Sequence, residues 1–334
     1  MEEILLFAAK AFVIVVAFAL VTIIIVMASS KKSKKSEFEA EPLHEKYKDI
    51  KFFMQSLTFN KKEMKQLKKD LKKEEKEEKN KEPSKKVYVL NFEGDVQAEE
   101  VSSLREEVTA ILQVVKPEDE VVVKVESPGG VVHGYGLAAS QLNRIREAGA
   151  TLTVCVDKVA ASGGYMMAVV AHRIISAPFA IIGSIGVVAQ VPNFHKILKK
   201  NEIEYKEYTA GDFKRTVSVF GEITPKGEQK FIEQLESTHT LFKNFVSNYR
   251  PQLNLSEVAT GEYWFGEDAI KKNLVDELST SDDYLLKLAK DCVIFELKYE
   301  KKKSLAEKLS SQLGQMVQKT LMKTIEKLDR RIHF

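Results

Sequence analysis

The apolar and charged positions divide the chain into four segments of different character. Residues 11–30 contain no charged side chain, and about 20 helical residues match a hydrocarbon core of about 30 Å. The pattern therefore predicts a transmembrane anchor over residues 4–30. A cleaved signal peptide is the alternative, but its apolar region is usually about 7–15 residues long and follows basic residues. Here Glu2 and Glu3 precede the apolar run and lysines follow it, so we favour an anchor.

The second segment, residues 31–85, is rich in charged side chains and predicts a juxtamembrane linker. Residues 61–86 hold 12 lysines and 7 acidic residues, and Met64, Leu67 and Leu71 are spaced by three and four positions. Three apolar residues bury too little surface to hold a partner. The segment is therefore interpreted as a solvated helix or tether that spaces a folded domain from the membrane. Contact of its lysines with anionic membrane lipid is the alternative.

From residue 86 the pattern changes to strands alternating with helices. Residues 86–92 and 121–127 are valine-rich runs that predict strands, and residues 98–115 between them repeat apolar positions at helical spacing. A further helix, a strand over residues 152–157 and a helix opening at Ser162 follow. This succession indicates an α/β domain with a mostly parallel sheet.

The folded domain is expected to extend over residues 86–300. Its apolar run 166–191 contains a histidine, an arginine and Pro178, which favours a pair of buried strands over a second membrane span. Residues 225–249 predict a long helix.

Residues 301–334 predict an amphipathic C-terminal helix, because apolar residues recur at steps of three or four with lysines opposite. Such a helix can lie on the membrane, pack between subunits or occupy a peptide groove as an autoinhibitory tail. We favour subunit or membrane contact. The apolar positions are Leu305, Leu309, Leu313, Val317, Leu321, Ile325, Leu328 and Ile332.

Composition and charge exclude several classes of protein. The 334 residues are 44% hydrophobic and 30% charged, which excludes a disordered or collagen-like chain. Two cysteines, Cys155 and Cys292, exclude a disulfide framework and a four-thiolate zinc site. Residues 1–86 carry a net charge of +6 and residues 87–334 carry −3. The folded part therefore gives no reason to expect a nucleic-acid partner.

The glycines locate a candidate site. Nine of the 16 lie between residues 129 and 186, which indicates that the backbone comes close to something there. The SPGG turn after a strand, and a serine at the head of a helix, can present peptide N–H groups that converge into an oxyanion hole. The alternative is that these glycines only permit tight turns and close helix packing.

Ser162, in VAASGGY, is the candidate nucleophile, although a serine in this position is most often only a helix N-cap. None of the six histidines lies in a recognisable Ser-His-Asp motif. A lysine can replace histidine as the base when desolvation removes its charge. Inspection does not single out one lysine, but Lys214 follows a predicted strand over residues 204–210.

Four motifs resolve that choice by their resemblance to a known family. ESPGG, DKVAASGGYMMA, GSIGV and AGDFKRT occur in this order and resemble the signal peptide peptidase A group of membrane serine peptidases, family S49. The likeness covers about residues 86–290. The anchor, charged tether and single catalytic domain resemble the SohB branch of that family most.

The resemblance implies a role for five residues. Ser162 is the implied nucleophile, and Lys214 the general base. Ser184, in GSIGV, is implied to hydrogen-bond the lysine amine and orient it. Backbone N–H groups of Gly130 and Gly163 are the implied oxyanion donors. No metal or cofactor is implied.

The resemblance also implies a ClpP/crotonase-like spiral of ββα units and assembly into a homo-oligomeric ring. The implied activity is a serine endopeptidase that cleaves signal-peptide remnants or membrane-associated polypeptides through an acyl-enzyme. Its implied location is the bacterial cytoplasmic (inner) membrane, with one membrane pass. Lys31 to Lys35 favour a cytoplasmic domain by the positive-inside rule, whereas the best-known relatives act outside, so the side stays open.

Two alternatives belong to other functional classes. A crotonase-like acyl-CoA enzyme shares glycine-built oxyanion holes but needs neither Ser162 nor Lys214. A non-catalytic membrane scaffold would use the ring for assembly and the tether for recruitment. The presence of both dyad positions argues against the scaffold.

Overall fold

The computed structural model describes residues 37–78 and 85–300. The predicted anchor over residues 4–30 and the predicted C-terminal helix over 301–334 lie outside the described residues, as do parts of the linker. Residues 40–298 form one compact unit. In the described ranges no helix combines the length and apolar character needed to cross a bilayer.

The described residues form ten strands and ten helices, numbered here in chain order. The strands are β1 (Glu37–Pro42), β2 (Lys86–Glu93), β3 (Glu120–Glu126), β4 (Thr151–Val156), β5 (Val159–Ala161), β6 (Arg173–Ser176), β7 (Ile181–Gly183), β8 (Tyr263–Phe265), β9 (Glu277–Leu278) and β10 (Val293–Glu300). The helices are α1 (Leu43–Thr58), α2 (Lys61–Glu78), α3 (Val101–Leu112), α4 (Val132–Glu147), α5 (Gly163–Ala168), α6 (His195–Lys200), α7 (Pro225–Tyr249), α8 (Leu255–Val258), α9 (Gly266–Ala269) and α10 (Ser281–Leu288).

Seven strands form the main sheet, in the order β1-β10-β2-β3-β4-β6-β9. The pairs from β10 through β9 are all parallel. Parallel strands are covered on both faces and are therefore continuously apolar, which is the pattern of β2, β3 and β4. The predicted strands 86–92, 121–127 and 152–157 each lie within one residue of these elements. The mixed α/β class with a parallel-rich sheet is confirmed.

Alternate residues of β2 enter two different hydrophobic clusters, because successive side chains of a strand point to opposite faces. Val87 and Val89 pack with Leu43 of α1 and with α10 on one face. Leu90 and Phe92 pack with α3 and α4 on the other. The apolar spacing predicted a helix over residues 98–115; α3 is shorter, Val101–Leu112.

A second sheet carries the segment that was ambiguous in the sequence. It has the order β5-β7-β8, with β5 and β7 parallel and β7 and β8 antiparallel. The run 166–191 contains the end of α5 and the short strands β6 and β7, so the predicted pair of buried strands is confirmed. Helix α7 has the predicted bounds, and Thr224 caps its first turn by accepting from the Gly227 N–H at 3.1 Å.

Two segments settle or correct sequence-based expectations. Residues 61–78 of the linker form helix α2, whose start is capped by Asn60 Oδ1 accepting from Lys62 and Glu63. The strand predicted over residues 204–210 is wrong: these residues form no strand. Their side chains are exposed, and none of the described strands pairs with them, so no ladder stabilises an extended conformation.

Residues 187–224, called the arm below, contain α6 as their one helix.

A buried carboxylate at the start of β3 accepts hydrogen bonds from β4, from α10 and from the residue before β2. Glu120 is 2% exposed and accepts from Lys85 Nζ at 2.7 Å, Thr153 Oγ1 at 2.7 Å and Tyr284 OH at 2.5 Å. Burial alone raises the pKa of this carboxyl, but the three donors outweigh it and hold the pKa below the ordinary value of 4.5.

Replacing Glu120 with Gln removes the charge that these donors face, and we expect a loss of about 1–3 kcal/mol in unfolding free energy at pH 7. The wild-type contribution is complete above the ordinary pKa and disappears as pH falls through the lowered folded pKa. The difference between the two proteins therefore narrows as pH falls below the ordinary pKa of 4.5 and through the lowered folded pKa. Urea unfolding of the full chain in detergent measures this difference in unfolding free energy, and a Glu106→Gln variant, changed at an exposed position, is the control. A difference that does not change with pH contradicts this account.

Helices α4 and α5 contact each other through a glycine. A Cβ added at Gly163 would lie 2.3 Å from Tyr135 Cγ, whereas one added at Gly136 of α4 meets nothing within 4 Å. We expect Gly163→Ala to cost about 1–3 kcal/mol through overpacking. We expect the matched Gly136→Ala to stabilise the fold by about 0.5–1 kcal/mol, since alanine favours a helix interior. Thermal unfolding of the two variants checks this, and equal melting temperatures would contradict the packing.

Candidate active site

Two turns, one after β3 and one after β5, meet at the carboxyl ends of neighbouring strands. The Ser127 N–H donates to the Val159 carbonyl at 2.8 Å, and the Ala161 N–H donates to the Ser127 carbonyl at 3.0 Å. These bonds extend the pairing into the SPGG turn. A Cβ on Gly129 would lie 2.6 Å from the Gly163 nitrogen. The backbones of the two turns are therefore in direct contact.

The SPGG turn leaves one peptide N–H free. Gly129, at φ +87°, donates its N–H to Ser127 Oγ at 3.1 Å, and Val131 donates to the Val96 carbonyl at 2.9 Å. The N–H of Gly130, between these two, has no acceptor among the described residues. A Cβ at Gly130 would lie 2.1 Å from the Val96 oxygen, so this position needs glycine.

Ser162 occupies a sharp strand-to-helix turn. Its φ of +52° and ψ of −116° are rare for a residue with a side chain and cost about 1–3 kcal/mol unless the surroundings hold them. Its N–H donates to the Gly183 carbonyl at 2.8 Å, and its carbonyl accepts from Met166 at 2.9 Å. The backbone of Ser162 is thus tied on both sides. Its hydroxyl has no hydrogen-bond partner among the described residues.

A mostly apolar cavity opens beside the Ser162 side chain. Gly130 and Gly163 line it together with the serine, so three of the five predicted site residues meet there. Its remaining walls come from α4, α5, the segment after β7 and α7, namely Val132, Met166, Gly186, Val187, Thr238 and Phe242. Walls of this kind suit a small or apolar side chain.

Helix α7 lines the cavity with Thr238 and Phe242. No sequence motif assigns this helix to the site. The spacing of four positions between Thr238 and Phe242 marks one face of the helix, but many pairs in α7 share that spacing. Phe242 and Ser162, which line the same cavity, are about 80 positions apart in the chain, so no local signal identifies the pair.

Ser184 lies in the strand-end segment next to Ser162. Its φ is +51°, its N–H donates to the Glu262 carbonyl at 2.7 Å, and its hydroxyl points to the Gly261 carbonyl at 3.4 Å. None of the hydrogen bonds among the described residues joins Ser184 to Lys214. The role implied for Ser184, orienting the lysine, is not formed within this chain.

Lys214 is exposed, lies in the arm and is not among the residues that line the cavity. Its neighbour Phe213 stacks with Lys226 Nζ at 5.2 Å and Lys230 Nζ at 5.4 Å, both in the first turns of α7. The cavity is bounded by α7 residues twelve positions farther on, which is about 18 Å along the helix. Among the described residues, no hydrogen bond joins the Lys214 amine to Ser162 or to Ser184.

The walls of the cavity beside Ser162 contain no histidine among the described residues, 37–78 and 85–300. Two histidines are next in sequence to lining residues: His133 follows Val132, and His239 follows Thr238. The His239 Nε2 lies 3.2 Å from the Ile185 carbonyl. In the same ranges no cluster of three or more His, Cys, Asp or Glu side chains is arranged to hold a metal ion.

Relatives of this chain are named as proteases. A relative in Haemophilus influenzae named "Probable protease SohB" is 60% identical over 226 residues, which cover 68% of this chain and 64% of that protein. A relative of the same name in Buchnera aphidicola subsp. Schizaphis graminum is 46% identical over 293 residues, 86% of each chain. Among solved structures, a mutant of the 1510-N membrane-bound stomatin-specific protease matches with a TM-score of 0.39 and 16% identity, over 62% of this chain and 85% of that chain.

Family models match almost the whole chain. The model described as Peptidase family S49 N-terminal matches residues 1–142, and the model described as Peptidase family S49 matches residues 144–294. The family predicted from the four sequence motifs is thereby confirmed: the chain belongs to peptidase family S49, and its close relatives are named as SohB proteases.

Proposed function

We propose that this protein is a membrane-anchored serine endopeptidase with Ser162 as its nucleophile. The observation that carries the proposal is the position of Ser162. Its backbone is held in a strained turn, its hydroxyl is unpaired among the described residues, and it shares a cavity with the free N–H of Gly130. A nucleophile presented on a sharp strand-to-helix turn beside peptide N–H groups is the arrangement that acyl transfer requires.

The proposed reaction has two halves. Neutral Lys214 takes the Ser162 proton as the serine oxygen attacks the peptide carbonyl carbon, and the N–H groups of Gly130 and Gly163 hold the oxyanion. The C–N bond then breaks, the leaving amine takes the proton from the lysine, and an acyl-enzyme remains. Water then gives a proton to the same lysine and attacks the ester carbonyl carbon, the bond from that carbon to the Ser162 oxygen breaks, and the lysine returns the proton to the serine oxygen. Each oxyanion donor contributes about 3 kcal/mol of transition-state stabilisation.

We place Lys214 in the site of a neighbouring subunit rather than in its own. A lysine acts as a base only where burial removes its charge, yet Lys214 is exposed in the single chain and does not line the cavity beside Ser162. Packing of the arm against a second copy supplies both burial and proximity. In that assembly Ser184 orients the incoming amine, as the family resemblance implies.

The wider proposal follows the family. Residues 86–300 adopt the ClpP/crotonase-like spiral and assemble into a homo-oligomeric ring that is anchored in the bacterial inner membrane by residues 4–30. Its substrates are polypeptides, including signal-peptide remnants, with a small or apolar side chain in the cavity beside Ser162. The chemistry uses no metal or cofactor.

Mixing two inactive variants tests whether the base comes from a second subunit. We expect Ser162→Ala and Lys214→Ala each to abolish peptide cleavage and to leave folding and assembly unchanged. When the two are co-expressed in equal amounts, sites that combine an intact serine with a neighbour's intact lysine recover about a quarter of wild-type activity, by random assembly. Fluorogenic peptide hydrolysis by purified mixed oligomers measures the recovery.

Co-expression of two differently tagged Ser162→Ala chains is the matched control and must stay inactive. Absence of recovery in mixed oligomers of confirmed composition would place the base within one chain. Full cleavage by either single variant would refute the dyad itself.

A fluorophosphonate probe separates the peptidase from the alternatives. We expect wild-type oligomers to be labelled at Ser162, because the probe requires an activated serine, and we expect Lys214→Ala to lose labelling at least about 100-fold. Peptide mapping by mass spectrometry locates the adduct. An acyl-CoA enzyme or a non-catalytic scaffold has no activated serine. Failure to label any serine in the assembled wild type therefore contradicts the proposed function.

A further inference from the structure

A buried tyrosine contacts both turns of the candidate site. Tyr135 of α4 is completely buried, and its hydroxyl donates to the Asp95 carbonyl at 2.7 Å. Ser127 Oγ lies 2.5 Å from the same hydroxyl. Because the tyrosine proton goes to Asp95, Ser127 is the donor in this second bond. Ser127 Oγ in turn accepts the Gly129 N–H at 3.1 Å, so one continuous chain of hydrogen bonds runs from Asp95 to the SPGG turn.

This chain of bonds determines which way the turn presents its peptide groups. The Gly129 N–H donates to Ser127 Oγ, and the Val131 N–H donates to the Val96 carbonyl. The Gly130 N–H between them is therefore the one that stays available. Without the tyrosine hydroxyl, Ser127 can rotate its own oxygen to another partner, and the bond that fixes the Gly129 peptide is lost.

The ring of Tyr135 packs against the turn that contains Gly163. Tyr135 Cγ lies so close to Gly163 that a Cβ there would be 2.3 Å away. Phe92 supports the ring from another side in a T-shaped contact at 6.2 Å between ring centroids. Gly94 makes room for the hydroxyl, since a Cβ at that position would lie 2.5 Å from it. One rigid side chain thus holds the backbone beside Gly163 and, through Ser127, the backbone beside Gly130.

We propose that Tyr135 is a positioning residue that fixes the spacing of the Gly130 and Gly163 N–H groups, with Ser127 as its link to the SPGG turn. The inference rests on the proposed function, in which these two groups form the oxyanion hole. The Tyr135 hydroxyl acts on the position of the Gly130 N–H through Ser127, and the Tyr135 ring acts on the position of the Gly163 N–H. Tyr135 does not touch the substrate, so its effect is on the developing oxyanion.

The test compares Tyr135→Phe, Ser127→Ala and the double variant in the full-length oligomer. Misplacing one donor weakens binding of the oxyanion but not of the ground-state substrate. We therefore expect each single variant to lower kcat by about 10- to 100-fold with KM changed less than about 3-fold. Because both residues act through one chain of bonds, the double variant should resemble either single variant rather than show the product of their effects.

Tyr165→Phe is the matched control. Tyr165 is also completely buried, and its hydroxyl donates to a backbone carbonyl, that of Leu274, at 2.8 Å. Its loss removes an equivalent bond without touching the SPGG turn. We expect a similar fall in melting temperature from both Tyr→Phe variants, but unchanged kcat from the control.

Several outcomes would overturn the inference. Wild-type kcat in Tyr135→Phe, a rise in KM in place of the fall in kcat, or multiplicative effects in the double variant each contradict it. If Tyr135→Phe does not fold, Ser127→Ala gives the same test of the Gly130 side. The proposed function fails separately, when the wild type neither cleaves peptides nor labels at Ser162. An active, labelled wild type with an unaffected Tyr135→Phe variant rejects this inference alone.

Discussion

Direct backbone contact between the two turns is the constraint on which the site depends. A side chain at Gly129 would stand 2.6 Å from the Gly163 nitrogen, and one at Gly163 would stand 2.3 Å from the Tyr135 ring. Peptide N–H groups can converge on a single oxygen atom only when their backbones approach this closely. The contact leaves Ser162 at a φ of +52°, and the surrounding pairing to Gly183 and Met166 offsets that strain.

The parallel sheet supplies the rigidity that such a contact requires. Strand β3 leads into the SPGG turn and is buried on both faces, while its first residue, Glu120, is held by three donors from three separate segments. Both ends of β3 are therefore fixed, one by packing and hydrogen bonds and the other by pairing of Ser127 with the strand before Ser162. A site on strand ends is more precise than one on free loops.

Sequence patterns predicted the sheet better than the arm, for a physical reason. Strands β2, β3 and β4 are continuous apolar runs because burial on both faces demands it. Residues 204–210 hold Tyr205, Tyr208 and Thr209, which are residue types that favour strands, but no described strand pairs with them. Ser162, Gly130 and Gly163 were found through short motifs. Phe242 and Tyr135 were not, because their roles arise from contacts between segments distant in the chain.

The surface of the arm bears on the proposed burial of Lys214 between subunits. It is stabilised by a small aromatic cluster of its own, in which Phe220 lies 6.2 Å from Phe194 and 5.8 Å from Tyr205, measured between ring centroids. Several of its other apolar side chains are exposed, with Tyr208 88% and Val188 80% exposed. Covering such surface stabilises an interface by about 25 cal/mol per Å². That gain offsets the cost of removing the lysine from water, so the proposed assembly and the proposed base depend on the same buried surface.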